Sequence, residues 1–171
     1  LGLIQKHGGT DMSLVPTMAN ALINVPNLKD FDLSSLRNVM IGGAASSPEL
    51  VQRVESALGC RCFAGYGMTE TAPVATTAKP KSTVHPETEA ERYRRQAMAG
   101  WAVPGVEVRV VDLHGRDVPR DMEAIGEVVV RGDHVMEGYF KEPDATAMVI
   151  RNGWMHTGDM AVWDQESYIH I

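Results

Sequence analysis

The stretch LRNVMIGGAASSPELVQRVESALGCRCFAGYG, residues 36–67, decides the fold. LRNVMI (36–41) is a strand-like apolar run, and CRCFAGYG (60–67) is another. Between them PELVQRVESAL (48–58) is amphipathic, with Leu50, Val54, Ala57 and Leu58 on one side. Ser46 or Ser47 can cap that helix, Pro48 suits its first turn and Gly59 can end it. Upstream, TDMSLVP (10–16) reads as a strand and TMANALIN (17–24) as a short helix. The resulting β-α-β-α-β order predicts an α/β fold with a parallel sheet and helices packed on it. Sheets of that kind bind ligands just beyond the carboxyl ends of their strands. Two unusual segments fall there: GGAAS (42–46) and GYGMTET (65–71).

Beyond these strands the texture changes. Residues 79–100, KPKSTVHPETEAERYRRQAMAG, are polar and mixed in charge, with Glu91 and Arg95 at a favourable helical spacing. The ERYRR run reads as a solvated helix face, because acidic residues lie just upstream. After Gly100, VEVRVV (106–111) and EVVVRG (127–132) read as strands and HGRD (114–117) as a hairpin-type turn. DATAMVIR (144–151) fits a short helix, while WMHTGDMAVWD and SYIHI flank a turn at DQES. Three parts are therefore expected. Residues 1–78 form an α/β segment, 79–100 a polar helical connection, and 101–171 a smaller antiparallel β subdomain.

Composition narrows the function classes. The 171 residues are 44% apolar and 22% charged, ordinary values for a globular chain with a real core. A formal net charge of -6 argues against nucleic acid or an anionic lipid surface as the main partner. No run approaches the ~20 apolar residues of a transmembrane segment. Cys60 and Cys62, two apart on a strand, share a face and suit a disulfide poorly. They read as small buried apolar side chains, and the expected location is cytoplasmic.

GYGMTET concentrates chemistry in seven residues. As G-x-G-x-x-E it fails the dinucleotide fingerprint, because Glu70 stands where a third glycine must pack the helix on the sheet. That disfavours a nicotinamide oxidoreductase, and a Walker phosphate loop is absent from the chain. With a cation the residues make better sense, since Mg²⁺ favours one or two carboxylates plus phosphate and water. Glu70 can supply that oxygen, Thr69 can hydrogen-bond a phosphate, and Tyr66 offers a flat face to a base. Gly65 and Gly67 allow close backbone approach. A simple Gly-rich turn with a buried tyrosine would also account for the heptad. GGAAS leaves a side-chain-free shelf or a tight strand-to-helix turn. In TGD (157–159), Asp159 is either a turn cap or a fixed carboxylate for two ribose hydroxyls. The six histidines show no metal-ligand spacing.

Taken in order, GYGMTET, GEVVVRGDHVMEGYFKEPDAT and GWMHTGDM resemble the adenylate-forming superfamily of acyl-CoA synthetases, luciferases and peptide-synthetase adenylation domains. The resemblance runs from about VPT (15–17) to Ile171 and is greatest to the fatty-acyl or medium-chain acyl-CoA ligase branch. The peptide-synthetase branch usually has proline where Met68 stands. The resemblance implies that Tyr66 packs against adenine, with Gly43 and Ala44 forming part of the adenine and acyl shelf, and Gly67 is a further candidate for nucleotide binding. It further implies that Thr69 contacts the α-phosphate, Glu70 binds Mg²⁺ and Asp159 holds the ribose. Two departures stand out: Ala45-Ser46 where relatives often have Pro-Leu, and Trp101 in place of a common basic residue.

The implied substrates are ATP, a small-molecule carboxylic acid and coenzyme A, joined through an acyl-adenylate. The resemblance places a Ser/Thr/Gly-rich phosphate loop before Leu1, and a hinge arginine and lysine-bearing C-terminal domain after Ile171. The chain is thus expected to be an internal segment of the large N-terminal domain, inactive alone. A non-catalytic nucleotide-binding module and an adenylation enzyme with another acyl acceptor are the alternatives.

Overall fold

A serine and a glycine set the limits of the central helix. The Ser47 hydroxyl accepts the Leu50 N–H (3.2 Å), Pro48 opens the helix, and Gly59 ends it with φ 65°. The computed structural model describes residues 1–171. Its contacts form two compact units: Leu1–Gly65 with Ala78–Met98, and Tyr66–Thr77 with Ala99–Ile171.

The first unit runs α1 (Gly2–His7), β1 (Asp11–Leu14), α2 (Pro16–Ile23), β2 (Asn38–Ile41), α3 (Pro48–Leu58), β3 (Arg61–Tyr66) and α4 (Glu89–Gln96), with Tyr66 the first residue of the second unit. β1 pairs parallel with β2, and β2 parallel with β3, so the β-α-β-α-β order yields the parallel sheet it predicts. The core joins Val39, Ile41 and Cys62 of the strands to Val51, Val54 and Leu58 of α3. Each such apolar side chain contributes roughly 1.5–3 kcal/mol on burial. The buried stripe of α3 differs slightly from the expected one: Val51 is fully covered while Ala57 is exposed.

α4 departs further from expectation. Thr88 caps it and the Glu91–Arg95 pair forms at 3.2 Å, but the ERYRR face is not simply solvated. Tyr93 and Gln96 are buried. Gln96 donates to Glu55 Oε1 (2.7 Å) and to the Cys62 carbonyl (2.6 Å), while Arg92 pairs with Glu55 (2.8 Å). A buried amide stays only where its polar atoms find partners, and α3 and β3 provide them. The segment 78–98 therefore belongs to the first unit, and 66–77 joins 99–171, which differs from a division at 78 and 100.

The second unit is antiparallel. It contains β4 (Thr76–Thr77), β5 (Trp101–Ala102), β6 (Val106–Val111), β7 (Gly126–Gly132), α5 (Pro143–Val149), β8 (Ile150–Arg151), β9 (Trp154–Trp163) and β10 (Ile169–His170). β10, β9, β7 and β6 lie side by side, β8 pairs with β9, and β4 pairs with β5. Alternation buries Val106 and Val110 of β6 against Val128 and Val130 of β7, with Trp163 and Ile169 completing the cluster. The Arg109 and Arg131 guanidiniums lie 5.2 and 4.5 Å from the centre of the Trp154 ring. The HGRD turn closes through Asp112, which accepts the His114 and Arg116 N–H groups and the Arg116 guanidinium. Those bonds, led by the Arg116 backbone, pull the Asp112 carboxyl down to about 2. The turn returns Val118 onto Val110 (3.0 Å), so residues 119–125 intervene before β7.

No helix is long and apolar enough to cross a membrane. Cys60 and Cys62 are free thiols, and burial pushes them up to about 11 and about 12.

Candidate nucleotide site

The GYGMTET segment is a braced turn. Thr71 is fully buried, and its hydroxyl accepts the Met68 N–H (3.0 Å) while lying 3.1 Å from the Pro73 carbonyl. The Ala75 N–H donates to the Tyr66 carbonyl (2.9 Å), closing the loop back onto its own start. Gly67 has a specific cause. A Cβ there would run into the Pro73 carbonyl oxygen and stand 2.8 Å from the Ala75 nitrogen. The close approach that the glycine permits is thus to the chain's own backbone. The turn leaves Thr69 exposed and Glu70 half-buried.

Tyr66 and Asp159, 93 residues apart, meet. The Tyr66 hydroxyl donates to Asp159 Oδ2 at 2.7 Å. Burial pushes the phenol well above its ordinary range, and the Asp159 carboxylate pushes it further, so at neutral pH Tyr66 is a donor. Asp159 reaches it because β9 bulges. Glu127 faces Met160 and Val129 faces His156, which leaves Val128 alone opposite Thr157, Gly158 and Asp159. Such a bulge re-aims a side chain. Gly158 sits at φ 79°, a conformation that costs other residues strain. The Thr157 hydroxyl donates to the Val128 carbonyl (2.8 Å) and accepts the Asp159 N–H (3.1 Å).

Glu70 has its own partner. The Tyr139 hydroxyl donates to Glu70 Oε1 (2.8 Å), and the Met136 N–H donates to the Glu70 carbonyl (2.8 Å). The Glu70 carboxylate, by accepting that bond, holds the Tyr139 phenol above its ordinary value. Tyr139 is fixed in turn by the Thr146 hydroxyl, which accepts its N–H (2.9 Å) and donates to the Glu142 carbonyl (2.8 Å). No group of three or more His, Cys, Asp or Glu side chains could enclose a metal. A cation at Glu70 would therefore take most of its ligands from phosphate and water, the habit of Mg²⁺ rather than of a protein-caged ion.

The structure thus gathers Tyr66, Gly67, Thr69, Glu70 and Asp159 in one unit. Gly43 and Ala44 belong to the other unit, where both are exposed at the end of β2, with Gly43 at φ 78°. Of the two candidate caps beside them, Ser47 caps α3, whereas the buried Ser46 hydroxyl has no partner. Tyr139 and Glu127 are contacts that sequence reasoning did not single out. Both lie within GEVVVRGDHVMEGYFKEPDAT, but spacing alone cannot say which of its polar side chains turns toward the heptad or the bulge.

The chain is 36% identical over 170 residues to a long-chain-fatty-acid–CoA ligase of Thermus thermophilus, covering 99% of this chain and 31% of that protein. It is 37% identical over 171 residues to a feruloyl-CoA synthase of Amycolatopsis sp, covering 32% of that protein. The chain thus spans about a third of the length of these curated relatives. Among solved structures it is similar to the amide bond synthetase McbA from Marinactinospora thermotolerans, with a TM-score of 0.83 and 32% identity over 99% of this chain and 33% of that one. The family model described as AMP-binding enzyme matches residues 1–140, most of the chain, and the chain belongs to that family.

Proposed function

We propose that the protein carrying this chain is an ATP-dependent acid–thiol ligase that activates a carboxylic acid, in our reading a fatty acid, as its acyl-adenylate. The carboxylate oxygen attacks the α-phosphorus, the bond to pyrophosphate breaks, and a mixed anhydride forms. The thiolate of coenzyme A then attacks the acyl carbonyl and AMP leaves with the anhydride electrons. The observation that carries this reading is the Tyr66–Asp159 hydrogen bond in the unit that also presents Thr69 and Glu70. It supports the reading because the unit holding this bond also carries the exposed Thr69 hydroxyl and a second carboxylate, the groups that phosphate and a cation would call for.

In that arrangement Tyr66 packs against adenine, Asp159 accepts the ribose hydroxyls and Thr69 donates to the α-phosphate. Glu70 would hold Mg²⁺, which when bound offsets phosphate charge as pyrophosphate departs. No side chain need act as a nucleophile. Both thiols are held protonated by burial, and Ser47 is occupied as a helix cap. The compartment that goes with this reading is the cytoplasm.

The similarity to an amide bond synthetase favours a second reading, in which the same adenylate is passed to an amine. Acid-dependent ATP–pyrophosphate exchange by the full-length protein tests the shared first step, and coenzyme A against amines as acceptors separates the two. Since the chain spans 31% of the Thermus ligase, its 171 residues alone are expected to give no exchange. Glu70→Gln in the full-length protein should lower the exchange rate on the order of 10²-fold and raise the magnesium needed for half-maximal rate. An unchanged rate and magnesium dependence would remove Glu70 from the site.

A further inference from the structure

Glu127 stands where the ladder between β7 and β9 breaks. Its Oε1 accepts the Gly158 N–H (3.1 Å), its Oε2 lies 2.7 Å from His156 Nδ1, and the Arg151 guanidinium is 3.7 Å away. Gly158 is the centre of the bulge, and its N–H has left the strand ladder, where Val128 alone faces three residues. A carboxylate is the strongest acceptor the chain can offer to such an N–H. The ladder resumes on both sides through backbone pairing, at Glu127 opposite Met160 and at Val129 opposite His156. The Glu127 contact therefore serves the bulge rather than the sheet. What the bulge displays is Asp159, one residue beyond Gly158.

We propose that Glu127 is a positioning residue for nucleotide binding: it clamps Gly158 so that the Asp159 carboxylate stays presented to the ribose. The proposal rests on the reading of Asp159 as a ribose ligand. Glu127 acts through the backbone and touches no substrate. His156 and Arg151 steady the carboxylate from its other side, so that Oε1 keeps facing Gly158. Thr157 holds the neighbouring peptide through Val128. Glu127 and Thr157 thereby brace the bulge at successive residues before Asp159.

The test uses the full-length protein, with AMP affinity measured by calorimetry and KM measured separately for ATP and for the acid. Glu127→Ala should weaken AMP about tenfold, the effect of one lost hydrogen-bonded constraint, and raise KM for ATP while leaving KM for the acid unchanged. Glu127→Gln should stay within about threefold of wild type, because its amide oxygen can still accept the Gly158 N–H. Asp159→Ala should also weaken AMP, and adding Glu127→Ala to it should cause no further loss. If Glu127→Ala does not fold, Glu127→Asp, one methylene short of Gly158, takes its place with the same expectations. Wild-type AMP affinity in Glu127→Ala beside a weakened Asp159→Ala would overturn the positioning role alone. Additive losses in the double variant would also overturn it, since they would mean that Glu127 acts apart from Asp159. Wild-type affinity in Asp159→Ala would remove the ribose reading and this proposal together.

Discussion

Removing a single oxygen from Tyr66 probes the contact on which the site depends. Tyr66→Phe keeps the ring packed against the apolar cluster of the second unit and deletes only the hydroxyl that reaches Asp159 at 2.7 Å. A hydrogen bond to a charged acceptor contributes about 1.5–3 kcal/mol. Asp159 is only half-buried, so water can replace the phenol at the carboxylate. The expected cost is therefore near the lower end, about 1–1.5 kcal/mol. Divided by a urea slope of roughly 2 kcal/mol per molar, that moves the unfolding midpoint down by about 0.5–0.75 M. Tryptophan fluorescence is an apt probe, because Trp101, Trp154 and Trp163 all lie in the unit that contains the bond. Asp159→Asn measured with and without Tyr66→Phe completes a double-mutant cycle with an expected coupling of about 1 kcal/mol. A coupling of zero would mean that the hydroxyl and the carboxylate do not stabilise each other. The cycle has a counterpart in pH. Tyr66 titrates higher in the folded chain than its ordinary 10.0, so above about pH 10 the unfolded state loses this proton first and stability falls with rising pH. Tyr66→Phe should flatten that fall.

Asp159→Ala should weaken a non-hydrolysable acyl-adenylate analogue by about 1.5–3 kcal/mol per lost contact, read by calorimetry on the full-length protein; unchanged affinity would return TGD to an ordinary bulge. Cys62, fully covered and held protonated by burial, should resist alkylation in the native protein at pH 8 and react on unfolding, and rapid native modification would contradict its placement. The same upward shift, from an ordinary 9.0 to about 12, predicts stability lost as pH rises above 9, an effect that Cys62→Ala should reduce. Ser47→Ala should cost about 1 kcal/mol through loss of the cap on Leu50, whereas Ser46→Ala, which removes a buried hydroxyl without a partner, should be tolerated or stabilising.

Much of the architecture is local and so was legible in the sequence. The limits of α3 follow from Ser47, Pro48 and Gly59, which satisfy or forbid particular backbone bonds wherever they stand. The run VEVRVV predicts the limits of β6, Val106–Val111, although Val110 and Val111 are both buried at its end. The parallel order of β1, β2 and β3 follows from intervening helices that reverse the chain between them. The heptad GYGMTET was visible as a concentration of functional groups at a strand's end. Its meaning was not. Gly67 looked like an opening for a ligand, but the tertiary structure shows the Pro73 carbonyl occupying that space. The ERYRR face looked solvated, but Tyr93 is buried and Arg92 pairs with Glu55 of a distant helix. Asp159 is aimed at Tyr66 by a bulge whose bracing comes from Glu127 and Val128, some 30 residues earlier. Periodicity and capping are written into neighbouring residues, because they depend on backbone geometry over a few positions. Which carboxylate meets which hydroxyl depends on strand register and on a bulge, and those are decided only when distant segments pack together.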